Sequence, residues 1–153
     1  MHLLEITPYV AFNDFNFADS YQSIKSKLSK FKIVHDGPKV EMGKEYPSLY
    51  IQDIELLIVF VEGGERVRYF EIDNDVHHGG MNLHREPLSK LRLLYKKLDE
   101  NLEKLNDGIK SPLFGIQITK SEIRNGNSVL VYSNEYTNEP PISEDDIINY
   151  FMK

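Results

Sequence analysis

The clearest pattern of apolar and polar positions lies in residues 46–72. The segments SLYI and IELLIVFV are dense in β-branched and aromatic residues, and RVRYFEI alternates in polarity. Gly63 and Gly64, between them, can adopt positive φ without steric cost and therefore suit a hairpin turn. The pattern predicts consecutive antiparallel strands. Residues 54–61 are expected at the centre of the sheet, with both faces at least partly covered, because LLIVFV is apolar throughout.

A helix is predicted on each side of these strands. On the N-terminal side, Asp19 or Ser20 can cap a helix by accepting a bond from its free backbone N–H groups. On the C-terminal side, Pro87 suits the first position of a longer helix. This helix is expected to run for about 18–20 residues and to end at the NDG sequence of residues 106–108. Its apolar stripe consists of Leu88, Leu91, Leu94, Tyr95, Leu98, Leu102 and Leu105.

Further strands and a last helix complete the predicted order. Residues 6–12 are typical of a strand, with Pro8 near its start, whereas the HDGPK sequence of residues 35–39 has turn chemistry. LFGIQIT and SVLVYS are joined by RNGN, a hairpin signal, and Ser143 with Asp146 resembles a capping box. The chain is therefore predicted to be one α+β domain spanning residues 1–153. Its central antiparallel sheet is packed by an N-terminal helix, a long middle helix and a short C-terminal helix.

Composition narrows the classes of function. The chain has no cysteine, which excludes disulfides, thiolate zinc sites and cysteine nucleophiles. Its 18 basic and 24 acidic side chains give a net charge of −6, which disfavours direct contact with nucleic acid. The first residues do not resemble a signal peptide, and the longest apolar run is far too short to span a membrane. We expect a cytoplasmic protein with no membrane partner.

A histidine-rich segment, DNDVHHGGMNLHREP at residues 73–87, is the first candidate site. It contains oxygen and imidazole groups suited to zinc, iron or manganese, namely Asp73, Asp75, His77, His78 and His84. Their spacing matches no known metal motif, and the glycines and asparagines are also typical of a polar loop. The segment can thus be a metal site of a small metal-dependent enzyme, a loop that contacts a partner, or a plain connection. We favour a protein without metal, cofactor or enzymatic activity.

An acidic region near the C-terminus is the second candidate. Residues 127–152 contain five carboxylates, interleaved tyrosines and neither lysine nor arginine. Tyrosine provides contact area at low entropic cost, and the carboxylates steer a basic partner. Alternatively, the acidic triplet at residues 144–146 complements a helix dipole. The predicted partner-binding residues are Tyr132, Glu135, Tyr136, Glu139, Glu144, Asp145 and Asp146.

Residues 17–72 also resemble a known class of bacterial proteins. The sequence FADSYQSIKSKL, the turn DGPK and the strands of YPSLYIQDIELLIVFVEGGERVRYFEI are similar to immunity proteins of contact-dependent growth inhibition and related polymorphic toxin systems. The resemblance implies a non-enzymatic inhibitor that binds a cognate protein toxin, such as a nuclease, and neutralises it by occluding its active site. It assigns no role to individual residues.

Overall fold

The structure, a computed structural model, describes residues 5–28, 31–121 and 125–133. In these ranges two α-helices, α1 (Tyr21–Lys27) and α2 (Leu88–Leu98), accompany thirteen short and long strands. The strands are β1 (Ile6–Thr7), β2 (Ala11–Phe12), β3 (Phe15–Asn16), β4 (Ile33–Glu41), β5 (Lys44–Ile51), β6 (Leu56–Phe60), β7 (Val67–Ile72), β8 (His77–His78), β9 (Met81–Asn82), β10 (Glu103–Leu105), β11 (Gly108–Ser111), β12 (Ile116–Lys120) and β13 (Asn127–Tyr132).

One antiparallel sheet dominates the fold. Its eight strands lie in the order β10-β11-β12-β13-β7-β6-β5-β4, and every neighbouring pair is antiparallel. The strands β1 to β3 form a separate small meander, and β8 pairs with β9 in a hairpin. The α+β class and the antiparallel sheet are therefore confirmed, and the described chain is mostly sheet. No helix in the described ranges is long and apolar enough to cross a membrane.

Both faces of the sheet bury apolar side chains around β6. Ile58 and Phe60 belong to the main core, which also receives Ile24 of α1 and Leu91 of α2. Val59 points to the other face, where it packs in a smaller cluster with Tyr46, Tyr69 and Tyr132. All three of these β6 side chains are fully buried. The prediction that the apolar run is covered on both faces is confirmed.

The middle helix is shorter than predicted, because a buried aspartate ends it. α2 has 11 residues and stops at Leu98. The carboxylate of Asp99 then accepts hydrogen bonds from the backbone N–H of Asn101 (2.9 Å), the backbone N–H of Leu113 (3.1 Å) and the hydroxyl of Ser111 (2.7 Å). Burial alone raises the pKa of Asp99, but these hydrogen bonds outweigh it and lower the pKa. The bonds hold the chain in a bend, after which it continues as β10.

Three other predictions about elements need correction, and a fourth lies outside the described residues. The NDG sequence is the turn of the β10–β11 hairpin, closed by the pair Leu105 and Gly108. Residues 6–12 are two strands and a turn, with Tyr9 at positive φ. The residues 35–39 belong to β4 instead of a turn. The predicted C-terminal helix lies outside the described residues.

Candidate partner-binding site

A cleft of about 420 Å³ opens between α1, the β6–β7 turn and the β4–β5 hairpin. β4 is the last strand of the described sheet, so the cleft lies at a sheet edge. We call it the edge cleft. Its lining consists of Tyr21, Asp36, Gly37, Pro38, Glu45, Pro47, Ser48 and Gly63.

The alternation of side chains along β5 explains how the edge cleft forms. Every second side chain of a strand points to the same face, so Glu45, Pro47, Leu49 and Ile51 share one face. Leu49 and Ile51 are fully buried in the main core, Pro47 is half-buried and Glu45 is exposed. The apolar face of the sheet therefore continues from the core into the cleft and ends at a carboxylate.

The β4 side of the edge cleft follows from the strand register. Pro38 lies opposite Pro47, and Val40 lies opposite Glu45. Directly opposite residues of an antiparallel pair project to the same face, so the two prolines form adjoining apolar walls. Val40 is 56% exposed, which places an uncovered apolar side chain beside the Glu45 carboxylate.

The helical side of the edge cleft is held by Tyr21. Its backbone N–H donates to the carbonyl of Gly64 (2.8 Å), so the β6–β7 turn satisfies a free donor of the first helical turn. The ring packs edge-on against Phe60, 5.4 Å between centroids. The hydroxyl donates to the carboxylate of Asp36, whose second oxygen lies 2.6 Å from Nζ of Lys25.

The two carboxylates of the edge cleft differ in whether a neighbouring cation compensates their charge. Asp36 is compensated by Lys25, a pair of which both members are partly exposed. The carboxylate of Glu45 makes no hydrogen bond or ion pair with any residue in the described ranges. The site thus offers apolar walls and one uncompensated negative charge, an arrangement suited to binding an amphipathic cationic group.

The first half of the histidine segment is a structured hairpin. Gly79 and Gly80 form its turn, both at positive φ. Nδ1 of His78 lies 2.6 Å from the hydroxyl of Tyr95 on α2, and its ring lies 4.8 Å from that of Phe114 between centroids. Burial among these rings lowers the pKa of His78, so the neutral imidazole is favoured.

The second half of the segment is fixed to the β12–β13 hairpin by Asn127. The side-chain amide of Asn127 donates to the carbonyls of Leu83 (2.9 Å) and Glu86 (2.8 Å). Its backbone N–H donates to the carbonyl of His84 (2.8 Å), and its own carbonyl lies 2.7 Å from Nδ1 of His84. A Cβ on Gly126 would lie 2.8 Å from that His84 carbonyl, so this close approach requires glycine.

Three of the five proposed metal ligands take part in separate side-chain contacts. Asp75 accepts from Nε of Arg85 (2.7 Å), whereas His78 and His84 have the partners described above. Oδ1 of Asp73 and Nδ1 of His77 are buried without a hydrogen-bond partner in the described structure. Within residues 5–28, 31–121 and 125–133, no three His, Cys, Asp or Glu side chains are grouped so that they could hold a metal ion. The alternative metal site is therefore not assembled by the described residues.

The predicted acidic surface is described only at its first residue. Tyr132 is fully buried, its hydroxyl donates to the carbonyl of Ser111 (3.2 Å), and its ring lies edge-on to Tyr9. Tyr132 is therefore a core residue in this structure. The other six predicted contacts, Glu135, Tyr136, Glu139, Glu144, Asp145 and Asp146, lie outside the described residues, and their role stays a prediction.

The edge cleft was missed by sequence reasoning. HDGPK contains glycine and proline, which indicate a turn, whereas Asp36 and Pro38 lie within β4. The alternation in EYPSLYI is the signal that could have placed Glu45 and Pro47 on the face of Leu49 and Ile51.

Comparison with known proteins gave no match to a family model, a curated protein or a solved structure.

Proposed function

We propose that this chain is a bacterial immunity protein that binds a cognate toxin domain and neutralises it by covering its active site. The edge cleft carries the proposal, because its uncompensated carboxylate beside exposed apolar walls fits a cationic protein surface. The net charge of −6 supports the same partner. The resemblance of residues 17–72 to immunity proteins supports the class.

A nuclease domain is the toxin class that best fits this charge. A nuclease presents lysine and arginine to hold phosphates, so an acidic protein can occupy the same surface. Charges at the rim of an interface steer association, while a few buried side chains hold the complex. The edge cleft can then contribute to an electrostatically complementary contact, and the acidic residues Glu135, Glu139, Glu144, Asp145 and Asp146 stay predicted contacts of the same partner.

A genetic experiment tests this proposal. The product of the neighbouring gene would be expressed in a host cell with and without this chain, and cell survival would be counted. We expect survival only when the chain is co-produced and the two purified proteins to form a complex that weakens with added salt. Equal survival in both cultures, or no complex at low salt, would show that the chain does not neutralise that product.

A further inference from the structure

The edge cleft also has a definite chemical preference, and the inference drawn from it rests on the proposed function. We infer that the edge cleft receives one arginine side chain of the partner protein, with Glu45 as its counter-ion. The volume of about 420 Å³ is at the lower end of the range for small-ligand pockets, roughly 300–1,000 Å³. A single long side chain is therefore an occupant of suitable size.

The charges around the cleft select a cation. Lys25 is engaged with Asp36 at 2.6 Å, so this pair contributes little net charge. Lys44 is the neighbour of Glu45 in sequence but projects to the opposite face of β5 by strand alternation. Its Nζ lies 3.9 Å from a carboxylate oxygen of Glu62, and both side chains are 65% exposed. Glu45 remains the uncompensated charge, which attracts a cationic occupant and repels an anionic one.

The walls of the cleft favour arginine over lysine. The methylene groups of a long cationic side chain can pack on Pro38 and Pro47 while its charged end stays at the solvent side. Guanidinium is planar, is more weakly hydrated than ammonium and can donate two parallel hydrogen bonds to one carboxylate. Arginine therefore loses less hydration on entering this apolar site and pairs with Glu45 in a defined geometry.

Short peptides can test the inference without the toxin. The complete chain would be titrated with the blocked tripeptides acetyl-Gly-Arg-Gly-amide, acetyl-Gly-Lys-Gly-amide and acetyl-Gly-citrulline-Gly-amide, and backbone amide shifts would be followed by NMR. Citrulline has nearly the shape of arginine but no charge. We expect saturable shifts at Gly37, Ser48 and Gly63 with the arginine peptide, weaker binding of the lysine peptide and, because the ion pair is lost, weaker binding of the citrulline peptide as well.

A matched pair of variants assigns the effect to Glu45. Glu45→Gln removes the uncompensated charge in the cleft, and Glu103→Gln removes another exposed carboxylate, from β10 at the opposite edge of the described sheet. A partly exposed ion pair contributes modestly, so Glu45→Gln should raise the Kd of the arginine peptide about two- to fivefold. Glu103→Gln should leave it unchanged.

The outcomes separate this inference from the proposed function. Arginine-peptide shifts located elsewhere, or equal losses in the two variants, would overturn the arginine site even if the chain still protects cells from the toxin. Cleft binding that depends on Glu45 in a chain that protects no cell would leave the arginine site standing and reject the immunity function.

Discussion

Replacing Asn127 with aspartate should unfold the chain much more easily at neutral pH, although the two side chains are almost equal in shape. The Asn127 amide donates to the carbonyls of Leu83 and Glu86, and the residue is only 5% exposed. A carboxylate offers no proton to either carbonyl. The substitution therefore replaces two attractive contacts with two repulsive ones while leaving the packing volume nearly unchanged.

The cost can be estimated from these contacts. A buried acceptor that loses its partner costs about 1–3 kcal/mol, so two lost bonds cost about 2–6 kcal/mol before the buried charge is considered. Burial beside two carbonyls should also raise the pKa of the new carboxyl above the unfolded value of about 3.9. The folded state of the variant therefore favours the neutral carboxyl. Its contribution to the free energy of unfolding is fully present below the unfolded pKa and is lost as pH rises through the folded pKa. The difference from wild type should thus be smaller near pH 3.5, where a neutral carboxyl can still donate one of the two hydrogen bonds, than at pH 7.

Urea unfolding followed by far-UV circular dichroism measures this difference, since the chain has no tryptophan. Asn106→Asp is the matched control, because Asn106 is exposed in the β10–β11 turn. We expect Asn127→Asp to lose at least about 2 kcal/mol at pH 7 and Asn106→Asp to lose almost nothing. A loss below about 0.5 kcal/mol at pH 7, the usual scale of surface substitutions, would refute the role given to Asn127.

Two further predictions concern the β6–β7 turn and the histidine hairpin. Gly64→Ala should destabilise the fold more than Gly63→Ala in thermal unfolding: both glycines have positive φ, but only a Cβ at Gly64 meets Tyr21, at 3.2 Å. Equal losses in the two variants would contradict the packing of this turn under α1. Burial lowers the pKa of His78 from 6.5, so below about pH 6.5 the unfolded chain binds a proton at this histidine more readily than the folded chain does. The free energy of unfolding of the wild type should therefore fall relative to that of His78→Gln as pH decreases towards the folded pKa. Parallel pH profiles of unfolding free energy, measured from pH 7.5 to 5, would exclude this contribution of the His78 contact with Tyr95.

The sequence predicts the parts of this fold that depend on local patterns. Ser20 caps α1 by accepting from the N–H of Ser23 (3.1 Å), and β12 and β13 pair as an antiparallel hairpin, as the RNGN sequence indicates. The apolar run of β6 is buried on both faces for the reason given by its pattern. These features are short-range, so the residues that form them are close together in sequence.

The features that were missed depend on partners far along the chain. The end of α2 is fixed by Asp99, whose carboxylate binds Ser111 and Leu113, and no local pattern identifies those partners. The strict alternation of faces also fails in β7. Val59 of β6 pairs with Tyr69, but the next residue, Phe60, pairs with Val67, so β7 contains one extra residue between the two pairs. This bulge turns Val67 to the face of Phe70, a change that a period of two does not reveal.

The edge cleft combines both kinds of information. The alternation that brings Glu45 and Pro47 to one face can be predicted once β5 is recognised. The neighbourhood of Tyr21, Asp36 and Gly63 arises only when α1 packs against the sheet, and a single sequence does not show this packing.

Pro38 has a consequence for how the protein behaves at high concentration. It lies opposite Pro47 within β4, and neither proline has an N–H with which to bond across the pair. In this antiparallel register, the backbone groups of Pro38 face away from β5, towards the free edge of the described sheet. A strand from another molecule would find no donor at that position, and proline at an edge is a recognised barrier to such pairing. The longer of the two edges of the described sheet therefore contains a position that opposes the addition of a strand from a second molecule, and with it the growth of fibres.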